Sequence, residues 1–140
     1  MPRKTLFPVM RWAVPSFVIP DTVAGNVRFL RDRVPEVALC FFETGGCLAY
    51  TDADLPAIGE TADLRFHVHL PTDLAWESGE DPGQAAVAAF RNAFSVFSLA
   101  AYLKPRLAIL HPPAADGVRA SDLLAAFLEN WQSVSDVPLC

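Results

Sequence analysis

All three histidines of this sequence fall in two short apolar runs. His67 and His69 sit in Arg65-Phe-His-Val-His-Leu-Pro71, and His111 closes Leu107-Ala-Ile-Leu-His111 ahead of Pro112 and Pro113. Side chains alternate faces along a strand, so His67 and His69 share one face while Phe66 and Val68 share the other. In Val37-Ala-Leu-Cys-Phe-Phe-Glu43 the same rule sets Glu43 with Leu39 and Phe41. The expected inner face is therefore Leu39, Phe41, His67, Ile109 and His111, with Cys40, Phe42, Val68 and Leu110 behind it. Glu43, His69 and His111 then end three strands on one side. Two imidazoles and a carboxylate suit a divalent metal, zinc or manganese among the candidates. His67 lies one layer deeper and reads first as a hydrogen-bonded core residue, second as a substrate contact. Trp76, in the polar loop 72–82, either stacks on a ligand or covers the core. Cys47 follows a Gly-Gly pair with no histidine beside it and reads as inert.

The elements that position these residues repeat one unit, a short apolar run and then a helical pattern. Phe17-Val18-Ile19 is the first run, stopped by Pro20; Asp21 or Thr22 caps a helix carrying Val23, Val27 and Leu30. Residues 37–42 form the second strand, Gly45-Gly46 a turn, and 51–58 a weak helix. Residues 64–70 form the third strand and 83–102 an alanine-rich helix with Val87, Phe90, Phe94, Phe97 and Ala101 along one side. Residues 107–110 form the fourth strand. Residues 121–131 form the fourth helix, capped by Ser121 and buried along Leu124, Phe127, Leu128 and Trp131. Apolar strands alternating with helices imply a parallel sheet, with every strand's C-terminal end on the same side. An open flavodoxin-like sheet and part of a (β/α)₈ barrel both satisfy that order. With 140 residues, against roughly 250 for a whole barrel, the expected fold is a parallel (βα)₄ half-barrel, one domain over 1–140. Val137-Pro-Leu-Cys140 reads as the opening of a fifth strand, as in a truncated chain.

Composition narrows the function classes. Apolar residues make up 52% of the chain and charged residues 19%, which suits strands buried on both sides. The net charge of −5, without a basic cluster, counts against a nucleic-acid partner. No apolar stretch has membrane-spanning length. The basic opening Met1-Pro-Arg-Lys-Thr-Leu-Phe-Pro8 runs into Arg11 and Pro15, which leaves no secretory apolar region. Cys40, Cys47 and Cys140 cannot all pair and show no CxxC spacing, so a reduced, cytoplasmic setting is expected. Phosphate-loop, dinucleotide and nucleophile-elbow motifs are missing from the sequence.

His69-Leu70-Pro71 and His111-Pro112-Pro113 resemble the metal-histidine motifs of the xylose isomerase-like TIM-barrel superfamily. That superfamily includes the sugar-phosphate isomerase/epimerases and the AP endonuclease family 2. Pro113 stands where the second motif ends in glycine, which leaves the histidine matched. Pro15-Ser-Phe-Val-Ile-Pro-Asp-Thr-Val-Ala, Phe41-Phe42-Glu43, Cys47-Leu-Ala-Tyr50 and Phe66-His-Val-His-Leu-Pro71 resemble, more closely, the cobamide-remodelling hydrolases of that superfamily. The resemblance covers nearly all of residues 14–113. It implies a metal-dependent hydrolase opening the nucleotide loop of a corrinoid. His69 and His111 would hold the metal, and Glu43 would touch metal or substrate. A further carboxylate is expected at the end of strand five, so the fragment alone would be inactive. The alternatives are a sugar isomerase/epimerase and a non-catalytic half-barrel that only binds or assembles. Open strand edges and an uncovered inner face with Leu39, Phe41, Leu107 and Ile109 lead to the expectation of a homodimer.

Overall fold

A computed structural model describes residues 12–79 and 81–140; the basic opening of the chain lies outside them. Four parallel strands, β1 (Val14–Pro15), β2 (Glu36–Cys40), β3 (Arg65–His69) and β4 (Ala108–Ile109), pair in the order 1-2-3-4. They alternate with helices α1 (Val23–Leu30), α2 (Thr44–Leu48), α3 (Pro82–Ser98) and α4 (Gly117–Val134). Sequential order distinguishes the two architectures compatible with the sequence. A flavodoxin-like sheet reverses direction at a switch point, whereas strands added one after another by right-handed crossovers keep all helices on one face. The fold is the (βα)₄ arrangement of a half-barrel. Beyond β4, Ala108 N–H donates to Pro138 O and Leu110 N–H to Cys140 O, both at 2.8 Å, and Leu139 forms an isolated parallel bridge with Ala108.

The register corrects the face assignment of β2. Cys40 pairs with His69 and Leu39 with Val68. Leu39 and Phe41 therefore turn toward the helices, fully buried with Val37, Phe66, Val68 and Ala108. Cys40 and Phe42 share the histidine face instead. Residues 38–42 are apolar on both sides, so alternation alone carried no phase; packing against α3 and α4 set it. The expected apolar opening at Leu39 and Phe41 therefore does not exist.

Other boundaries moved for local reasons. The run Phe17-Val18-Ile19 is a turn, because the buried Asn26 captures Ile19: Ile19 N–H donates to Asn26 Oδ1 at 3.0 Å, and Asn26 Nδ2 returns to Ile19 O at 3.1 Å. Thr22 does cap α1, accepting from Gly25 N–H at 3.1 Å. Helix α2 runs through the Gly45-Gly46 pair, and 51–58 forms turns leading into a 3₁₀ turn at Ile58–Glu60. Helix α3 opens on Pro82, whose missing N–H costs nothing there, and ends four residues earlier than expected. It lays Ala85, Ala86, Ala89 and Ala93 on the core, which permits close approach, and turns Phe90, Phe94 and Phe97 toward α4. In α4 the buried stripe is Leu123, Phe127 and Trp131, one phase away from Leu124 and Leu128, and Asp116 precedes the helix where Ser121 was expected to.

Phe127 is fully buried and touches Trp76, Phe90 and Trp131. Phe127→Ala should lower stability by about 3–5 kcal/mol. Phe94→Ala should cost less, because Phe94 is only partly buried. Urea unfolding of both variants checks the order.

Candidate functional site

The site is the sheet face turned away from the helices, at the C-terminal strand ends. His69 ends β3, half-buried; His111 follows β4 by two residues and is exposed. Because Ile109 registers with His69, His111 lies on the same face one step further out. The ring centres of His69 and His111 are 6.3 Å apart, and those of His67 and His69 are 5.5 Å apart. The structure thus brings the three imidazoles into one row, as strand periodicity expected.

Backbone and loop contacts hold the surrounding rim. Phe42 O accepts from Thr72 N–H and from Thr72 Oγ1. Asp73 Oδ1 accepts from Thr44 N–H at 2.9 Å and from its hydroxyl at 2.8 Å, capping α2 from the neighbouring loop. Asp73 and Asn26 were not singled out from the sequence; Asp73 acts on Thr44, 29 residues away, and Asn26 on the backbone of Ile19, 7 residues away, pairings that spacing does not announce.

Glu43 does not join the imidazoles as a formed ligand set. It precedes α2 as its exposed N-cap residue, makes no capping bond, and lines a small pocket with Cys40, Phe42, Cys47 and Tyr50. Among the described residues no group of three or more His, Cys, Asp or Glu is arranged to hold a metal. Trp76 is buried against Phe127, ring centres 5.2 Å apart, so its indole covers the core and only borders the cavity beneath Pro113 and Arg119. Cys47 is buried, and burial raises its thiol pKa, which agrees with an inert thiol. Phe17 and Phe42 meet edge to face at 5.3 Å, both about half exposed, at the β1–β2 end of the rim.

The donor chemistry suits a divalent cation in part. Burial, and then the neighbouring His67 and His111, hold His69 below the ordinary histidine pKa. At neutral pH it is an unprotonated nitrogen donor, the form that metals require. Imidazoles sharing one tetrahedral ion have ring centres about 5 Å apart. The 6.3 Å between His69 and His111 calls for a modest side-chain rotation.

The depressed His69 pKa gives two checks. The unfolded chain takes up a proton near the ordinary value while the folded chain still resists it. This term is absent above that value and destabilises the fold as pH falls through it. His69→Gln should flatten the stability loss between pH 7 and 5. In an NMR titration, His111→Gln should raise the His69 pKa; an unchanged midpoint would contradict the coupling.

No protein-family model, curated protein or solved structure matches the chain.

Proposed function

We propose that the histidine face is the metal centre of a barrel hydrolase for a phosphate-bearing small molecule, with a corrinoid phosphodiester as its substrate. The observation that carries this reading is His69 and His111 on one face, at adjacent strand ends, with ring centres 6.3 Å apart. Strand ends on this side are where barrel enzymes place their chemistry. When bound, a zinc or manganese ion supplies Lewis acidity, polarising a phosphodiester and easing deprotonation of a water. The chain's own part is to present two imidazoles from neighbouring strand ends, with Glu43 on the rim within reach of an incoming substrate. The substrate identity rests on the resemblance of the segments around residues 15–24 and 66–71. The runner-up is a sugar isomerase/epimerase, in which the same face moves a proton beside a carbonyl. Three free thiols fit a reducing, cytoplasmic setting, and no helix among the described residues is long and apolar enough to cross a membrane.

His69→Ala and His111→Ala should each remove bound metal and turnover while changing stability by less than about 1 kcal/mol. Metal analysis, thermal melts and assays on a corrinoid phosphodiester and a ketose test this together. Bound metal with ketose turnover alone would favour the isomerase, and a metal-free, inactive protein would favour a non-catalytic module.

Self-association belongs to the same proposal, on different residues from those first expected. Phe17, Val18 and Phe42 are exposed. Light scattering should give a mass above the 15.3 kDa of one chain. A single-chain mass maintained over a dilution series would exclude association.

A further inference from the structure

Below the strand ends, the inner face carries a second polar group. His67 Nδ1–H donates to Glu36 Oε1 at 3.1 Å, and Arg106 stands 3.9 Å from the other carboxylate oxygen. The side chains of Glu36 and His67 are only 12% and 11% exposed. The cluster ties β2, β3 and the entry to β4 together, which would account for it as a purely structural device. Two features go further. A carboxylate only accepts, so Nδ1 carries a proton, and Nε2 is the nitrogen turned away from Glu36. Among the described residues that Nε2 has no hydrogen-bond partner, and His67 lines an open pocket with Ala13, Glu36 and Ile109. The His67 ring therefore borders open space on the inner face.

We propose that His67 is a metal ligand, that it and His69 clasp a divalent cation as a His-x-His pair on β3, and that Glu36 is the outer carboxylate orienting His67. The inference rests on the reading of this face as a metal centre. Residues two apart on a strand project the same way, and the 5.5 Å between these rings is closer to a chelating separation than the 6.3 Å between His69 and His111. Ligating histidines donate their second ring N–H to a carboxylate in just this manner, which fixes tautomer and ring plane and strengthens the ligating nitrogen. Arg106 keeps the carboxylate in place from its far side. His111 would join them as in the reading above, leaving the other coordination positions to water or substrate.

Zinc alone is the probe, titrated by calorimetry into the whole chain and its variants, with circular dichroism melts beside each. His67→Ala should weaken zinc binding as severely as His69→Ala. Glu36→Leu should weaken it about 10–100-fold. Glu36→Gln, whose amide oxygen still accepts from Nδ1–H, should stay nearer the parent. Nitrogen-15 NMR of the metal-free chain should find the His67 proton on Nδ1, released from it in Glu36→Leu. If Glu36→Leu fails to fold, His67→Gln and Glu36→Gln decide the matter. Zinc binding lost in His69→Ala but unchanged in His67→Ala would overturn this inference and leave the metal centre standing, and a proton on Nε2 would overturn it equally. No zinc binding by the parent chain would bring down both.

Discussion

The parallel pairing of β2 with β3 is the constraint on which the other features rest. With Cys40 opposite His69 and Leu39 opposite Val68, one face of the sheet collects Val37, Leu39, Phe41, Phe66 and Val68, and the other collects Glu36, Cys40, His67 and His69. A slip of one residue would exchange the two sets, placing a carboxylate under the helices and phenylalanines at the site. The alanine face of α3 and the aromatic cluster of Phe97, Phe127 and Trp131 close over the first set alone. Burial of apolar surface there selects the register, and the register delivers the histidines to the opposite side.

The inner face is correspondingly unusual for a barrel wall. Beside Ala38, Leu107 and Ile109 it carries a carboxylate–imidazole pair at the depth of His67 and a single half-buried imidazole at His69. Each polar group has a defined support: Glu36 for His67, and strand hydrogen bonds for His69, whose carbonyl accepts from Phe41 N–H at 3.1 Å. Partial burial, and then the neighbouring His67 and His111, disfavour a positive charge on His69. Loop contacts finish the rim, where Thr72 and Asp73 bind the β3 exit to Phe42 and Thr44.

The sequence by itself determined the alternation of strands and helices, the parallel sheet, and the sharing of a face by His67, His69 and His111. These follow from periodicity within a strand or helix and from prolines that end strands, all local signals. Tertiary structure decided what local signals leave open. The apolar run 38–42 has no polar side, so the phase of Leu39 and Phe41 waited for the register. The strand-like run 17–19 became a turn because Asn26, several residues on, offered its backbone better partners than β2 did. Glu43 left the imidazole row because it ends the extended segment and enters α2, where alternation no longer applies. The pairing of Glu36 with His67 joins residues 31 apart. It exists only once two strands lie side by side, and no spacing within either strand announces it.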